Sequence, residues 1–332
     1  MTTKQTADIL ISGLSSVIRG KKAQLELFTA AFLSGGHVLL NDVPGLGKTT
    51  LARTLAALVA SPTEDTTVSS VSFKRIQFTP DLLPYDITGV DVFNPQNRTF
   101  EFNPGPVFSD ILLADEINRT TPKVQSALLE VMGERQVTSG GITRKVSPLF
   151  FVVATQNPVE SEGTYPLPVA QLDRFMLTLT LGYPDEEAEA AILHQDPSHS
   201  ILPGLKPIIS MDDILSSRME QAEVYCHPAL ENAILHIARN TRNNPAFSLG
   251  VSPRGVLFLL HAARTLALIR GRKWIEDRDI YDLCIPVFSH RLILTNTKVK
   301  ADILLQKITT EILQSMDKKT DWGKDIPNNE NA

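Results

Sequence analysis

His37-Val38-Leu39-Leu40-Asn41-Asp42-Val43-Pro44-Gly45-Leu46-Gly47-Lys48-Thr49-Thr50 is an apolar run that empties into a glycine-containing loop. The loop is built to hold phosphate. Its glycines let backbone N–H groups turn inward, Lys48 reaches the terminal phosphates, and the Thr49 hydroxyl reaches Mg²⁺. Leu51, Leu55 and Leu58 follow at helical spacing, so strand, loop and helix come in the order a Walker A motif requires. The helix adds its positive N-terminal end. Downstream, Ile111-Leu112-Leu113-Ala114-Asp115-Glu116 is an apolar strand ending in two acids, which reads as a Walker B motif. The strict Walker A pattern has glycine at position 42, where this chain has Asp42. That position lies at the strand end, several residues before the phosphate-gripping N–H groups. Its side chain is therefore expected to face solvent or a neighbouring backbone N–H.

A chain of 332 residues, 42% of them apolar, can bury a large core and is long enough for two domains. The net charge of −5 creates no global attraction for nucleic acid or an anionic membrane. Cys226 and Cys284 match no metal or redox spacing and read as small core residues in a reducing compartment. His227, His236 and His290 show no ligand spacing and read as cap or core histidines. No export signal is read at the N-terminus, and the densest apolar stretch, 256–263, is broken by His261 and flanked by Arg254 and Arg264. The expected location is the cytoplasm, with no membrane span.

Along the chain, Ala7, Ile11, Leu14 and Ile18 mark an opening helix stopped by Gly20, and a second helix runs from Leu25 to Phe32. Further strands are predicted at 73–77, 111–114, 150–155 and 176–181. Thr121-Pro122 opens a helix carrying Val124, Leu128 and Val131 on one face. Alternating strands and helices imply a parallel sheet covered on both sides. Two segments, 88–102 and 136–145, interrupt the alternation and read as β-hairpins. After Tyr183-Pro184 the texture becomes acidic and alanine-rich, then rich in Pro, Ser and His. From about Met211 the signal is helical, with Ser252-Pro253 as cap and first turn of a helix ended by Gly271.

These marks together identify a resemblance to the MoxR-type AAA+ ATPases, running from about residue 7 to about 315. They are 36–40 before the P-loop, Gln77-Phe78-Thr79-Pro80-Asp81-Leu82-Leu83-Pro84, Asp115-Glu116-Ile117-Asn118-Arg119, Ala154-Thr155-Gln156-Asn157-Pro158, Gln171-Leu172-Asp173-Arg174-Phe175 and Ser252-Pro253-Arg254. The chain departs from the family pattern at Asp42, at Val169, and at Phe288-Ser289. The resemblance implies an α/β P-loop AAA+ αβα sandwich with a five-stranded parallel sheet, followed by a C-terminal all-helical lid. The expected divisions are a nucleotide-binding core at 1–183, a linker at 184–210, a helical lid at 211–316 and a disordered tail at 317–332.

The resemblance also implies ATP and Mg²⁺ as cofactors. Val43, Pro44, Gly45, Leu46, Gly47, Lys48, Thr49 and Thr50 would hold the phosphates, with the base near Ile18-Arg19-Gly20-Lys21. Thr49 and Asp115 would serve the metal, and Glu116 would polarise the attacking water. Asn157 resembles sensor 1, Arg174 an arginine finger directed at a neighbouring subunit, and Arg254 a sensor 2 acting within its own chain or on the next. Against these stand plainer readings: a turn-forming Asn before Pro158, a surface Arg paired with Asp173, and for Arg119 either a subunit contact or a structural pair. The implied activity is Mg²⁺-dependent ATP hydrolysis in a homo-oligomeric ring, a hexamer, that remodels or matures a partner complex. The implied client carries a von Willebrand factor A domain, and the two hairpins would act as remodelling elements. Two other readings compete: a nucleic-acid motor, opposed by the acidic charge and the lack of a DNA-binding module, and a nucleotide-gated scaffold, opposed by Glu116, Asn157 and Arg174 occurring together.

Overall fold

The computed structural model describes residues 1–61, 69–158, 163–296 and 300–317, which fall into two compact units, Met1–Arg218 and Met219–Ala332. The expected tail beyond residue 317 lies outside the described residues.

The first unit is organised by five parallel strands: β1 (Val38–Asn41), β2 (Phe73–Gln77), β3 (Ile111–Asp115), β4 (Phe151–Gln156) and β5 (Leu177–Leu179). Their order across the sheet is β5-β1-β4-β3-β2. β3, the first five residues of β4 and the first three residues of β1 are buried, as expected of parallel strands covered on both faces. One face is covered by the helix Pro122–Glu134, whose Val124, Leu128 and Val131 pack with Leu112, Ala114, Val152 and Ala154. Against the other lie α-helices Lys22–Leu33 and Lys48–Leu58, and Thr3–Val17 packs on both of them. Phe28 and Phe32 meet Phe151 edge-on there, at 5.7 and 5.0 Å between ring centres. Such aromatic pairs add to the burial of apolar area.

The order of strands positions the site. β4 lies between β1 and β3, pairing Leu40 with Thr155 and Ala114 with Ala154, while β2 pairs Gln77 with Asp115. The carboxyl ends of four strands therefore form one edge, where ligands bind in open α/β sheets.

Both insertions are antiparallel hairpins, Gly89–Asn94 with Thr99–Pro104, and Gln136–Ser139 with Ile142–Lys145. They are tied together. Ser139 Oγ donates to Asp91 Oδ2 at 2.7 Å, and the Arg144 guanidinium lies 3.9 Å from the centre of the Phe102 ring. Segment 184–210 contains the helix Glu186–Gln195, capped by Asp185 accepting from Ala188 N–H.

The second unit holds helices Pro228–Asn243, Pro253–Ile269, Asp277–Phe288 and Ala301–Asp317. The Ser252 hydroxyl accepts from Gly255 N–H at 3.0 Å, and Gly271 at φ +79° follows the end of that helix. The reading from Met211 was helical, yet Phe247–Leu249 and Ile293–Leu294 form a small antiparallel pair. A three-residue strand and a two-residue strand leave too little periodicity to be read in sequence. Cys226 and Cys284 are both buried, and burial pushes each thiol up to about 12. They are thiols without thiolate reactivity.

Candidate active site

The phosphate loop follows β1 directly. Gly45 and Gly47 take φ of +86° and +80°, a region that glycine enters without steric cost. A side chain at Gly45 would meet nothing within 4 Å, so the loop opens onto space rather than onto protein. Helix Lys48–Leu58 begins at once, and its first-turn N–H groups have no acceptor within the helix. Lys48 is buried, its Nζ donating to the carbonyls of Asp42 at 2.7 Å and Val43 at 3.3 Å. Burial lowers its pKa, while the carboxylates of Asp42, Asp115 and Glu116 pull the other way. Thr49 is next in the first turn, and Thr50 spends its carbonyl on the Thr54 hydroxyl.

Asp42 is 4% exposed, and its carboxylate accepts from Leu181 N–H at 2.6 Å and Gly182 N–H at 3.0 Å. The acid at the strict glycine position thus faces neighbouring backbone N–H groups and ties the loop to the chain leaving β5. Val43, Pro44 and Leu46 complete the loop, with Pro44 on its exposed side.

Two strands away, β3 ends in Asp115. Its Oδ1 accepts the Thr155 hydroxyl at 2.5 Å, and its Oδ2 accepts Arg75 Nη2 at 2.6 Å and Nε at 3.0 Å. Glu116 sits at φ +56°, a left-handed conformation that costs a non-glycine residue about 1–3 kcal/mol and is characteristic of functional turns. Its N–H is held by the Thr155 oxygen at 2.9 Å. Its carboxylate accepts from Gln77 Nε2 at 2.7 Å and pairs with Arg119 Nε at 3.1 Å. Underneath, buried Gln125 donates to the carbonyls of Ile117, Thr120 and Tyr165, fixing the turn that carries the acids.

Asn157 is buried directly after β4, between the two Walker strands. Ile18 stands beside the loop, its Cδ1 3.5 Å from where a Gly47 side chain would begin. Gly20, at φ +70°, comes so close to Ala188 that a Cβ would stand 2.8 Å from the alanine methyl. Lys21 Nζ donates to Tyr183 O at 2.7 Å.

Lys48, Thr49, Asp115, Glu116 and Asn157 are therefore brought to one edge. Arg174 is not. It precedes β5, at the edge where the strands begin, and its Nη1 donates to Leu129 O at 2.8 Å. Strands of this length put it about 15 Å from its own phosphate loop. Arg254 belongs to the second unit, exposed in the first turn of helix Pro253–Ile269.

Arg75, Gln77, Thr155 and Gln125 were not singled out as site residues in the sequence. Arg75 and Gln77 carried a readable signal, two polar residues at period two on a strand next to an acid-ended one. The donor set fits a nucleotide and its metal. An ammonium and helix N-terminal N–H groups suit polyphosphate, while the Thr49 hydroxyl and the Asp115 carboxylate suit a hard, hydrated cation.

A P-loop beside an acid-ended strand at the carboxyl edge of a 5-1-4-3-2 parallel sheet defines a P-loop nucleotide-site architecture. Residues 37–177 match the ATPase family associated with various cellular activities (AAA), and residues 239–312 match an AAA lid domain. The protein YeaC of Bacillus subtilis is 44% identical over 92% of this chain and 92% of its own length. Chaperone MoxR1 of Mycobacterium tuberculosis is 38% identical over 94% of this chain and 82% of its own length. A proposed ATPase from Cytophaga hutchinsonii, of known structure, matches with a TM-score of 0.82 and 35% identity, covering 93% of this chain and 94% of that one. The chain belongs to the MoxR family of AAA+ ATPases.

Proposed function

We propose that this protein is a Mg²⁺-dependent ATP hydrolase that works as a ring, a hexamer, and remodels or matures a partner protein complex. The observation that carries this reading is the placement of Arg174 at the edge of the sheet opposite its own phosphate loop. A guanidinium there is too far to serve its own nucleotide, and the loop of a neighbouring subunit is the site it suits.

Within one subunit, Val43 to Thr50 and Lys48 hold the phosphates, Gly20 and Ile18 border the base, and Thr49 and Asp115 hold the metal's hydration shell. Mg²⁺, when bound, neutralises charge developing on the phosphates. Glu116 accepts the proton of the attacking water, and Asn157 orients that water or the terminal phosphate. Arg254 serves a nucleotide from the lid, that of its own subunit or of the next. The working divisions are the core at 1–183, the linker at 184–210, the lid at 211–316 and the tail at 317–332. The client surface is the coupled hairpin pair, where Phe93, Phe100 and Ile142 are exposed. A partner with a von Willebrand factor A domain is the client class that the family resemblance supplies. The setting is the cytoplasm; among the described residues no helix is long and apolar enough to cross a membrane.

Subunit mixing tests the ring. Arg174→Ala and Lys48→Ala subunits are each expected to be inactive alone and to regain ATPase activity when mixed, because some interfaces then pair an intact loop with an intact finger. Subunit exchange, verified by labelled subunits, without recovered activity defeats the trans assignment.

A further inference from the structure

Asp115 faces two claims on one carboxylate. The site needs an oxygen of this group for the hydrated metal, yet Oδ2 is taken by two N–H groups of Arg75 and Oδ1 by the Thr155 hydroxyl. Register explains how Arg75 arrives. Gln77 stands opposite Asp115 across the β2–β3 ladder, and Arg75, two residues earlier, shares its face. Gln77 Oε1 accepts from Arg75 Nη2 at 2.7 Å and steadies the guanidinium.

The two partners differ in depth. The Asp115 side chain is 13% exposed, that of Arg75 46%. A carboxylate so deep is costly without a countercharge. Arg75 supplies that charge from the solvent side, and its long stem lets the head return to water. A divalent cation arriving at the same oxygen matches the charge of Asp115 and repels the guanidinium.

We propose that Arg75 is a placeholder cation: it neutralises Asp115 until Mg²⁺ enters with ATP, and is then displaced. Arg75 is thus a positioning residue whose departure opposes metal binding, and the proposal rests on the Mg²⁺–ATP reading of the site. Removing it lowers the stability of the nucleotide-free protein but strengthens the metal's contribution to nucleotide binding. A merely structural pair would weaken both.

The test measures ATP dissociation constants by calorimetry in EDTA and in Mg²⁺, together with melting of the nucleotide-free full chain. The ratio of the two constants is expected to grow about tenfold in Arg75→Met, with a lower nucleotide-free melting temperature. Arg75→Lys keeps the charge but loses the planar fork, so its ratio should rise by about threefold, which carries the test even if the methionine variant does not fold. Lys74→Met removes the same unit charge from the opposite face of β2 and should leave the ratio within about twofold of the parent. An unchanged ratio at Arg75, or an equal change at Lys74, overturns the placeholder alone. A parent protein whose ATP affinity ignores Mg²⁺ overturns the reading of the site and the placeholder with it.

Discussion

Two clusters at opposite edges of one sheet are held by polar groups of different character. At the carboxyl edge, Arg75, Gln77, Asp115, Glu116 and Arg119 bond mainly side chain to side chain and within reach of water. At the amino edge His37, Arg135 and Arg218 bond to main-chain atoms, while Asp110 accepts from the Ser72 and Ser147 hydroxyls. Val152 N–H donates to His37 Nδ1 at 3.0 Å, Arg135 Nη2 to Gly35 O at 2.9 Å, and Arg218 Nη1 to Pro148 O at 2.8 Å. Burial, reinforced by Arg135 and Arg218, pushes His37 down to about 3, and burial beside Arg135 lowers Arg218 to about 10. A side-chain partner can be exchanged for a ligand, whereas a main-chain partner is fixed by the fold. The first edge is suited to chemistry, the second to stability.

The largest expected effect would break the contrast at the carboxyl edge. Glu116→Gln should bind ATP but hydrolyse it at least about 10²-fold more slowly, because the proton acceptor is lost while the phosphate contacts remain. Lys48→Ala should lose ATP binding instead. Steady-state hydrolysis and equilibrium binding check both, and parent-rate turnover in Glu116→Gln removes that residue from its assigned role.

The next effect belongs to the amino edge. His37→Leu leaves Val152 N–H buried without its acceptor, at a cost of about 1–3 kcal/mol in denaturant unfolding, with ATP affinity of the folded protein unchanged. Its pH dependence has a definite sign. The unfolded chain takes up the imidazole proton below about 6.5, but the folded protein refuses it until about 3, so the parent loses stability as pH falls through that window. The slope approaches about 1.4 kcal/mol per pH unit. In His37→Leu the slope should be shallower by one proton. Equal slopes in the two proteins would show that His37 is not the group responsible.

The smallest effect sharpens the boundary between the edges, since Asp42 sits at the phosphate loop yet bonds to main-chain N–H groups. Asp42→Gly should change ATP affinity only a few-fold, within about 1 kcal/mol, with little amplification at low salt. The clamp on Leu181 and Gly182 should be lost, lowering the melting temperature. Affinity rising tenfold at low ionic strength would instead mean that the carboxylate repels polyphosphate.

Legibility follows the range of the interactions. The glycine-containing loop after β1 was readable because its residues are consecutive, and consecutive residues stay together in any fold. β1, β3 and β4 were readable from apolar runs, since strands covered on both faces need no alternation, whereas β2, Phe73–Gln77, carries three polar residues. The pairing of Arg75 with Asp115 was not readable. It joins residues forty positions apart through the adjacency of β2 and β3 and a register that sets Gln77 opposite Asp115.

The sequence by itself determined the phosphate loop, the acid-ended strand, the parallel α/β class and the two hairpins, because each is written in local spacing and turn chemistry. Only the tertiary structure decided which charges meet. It inserted β4 between the Walker strands, turned Asp42 onto Leu181 and Gly182, carried Arg174 to the edge away from its own loop, and seated Arg75 on Asp115. The physical reason is that a sheet's strand order and register fix the neighbours of every side chain, and no local pattern in the chain encodes them.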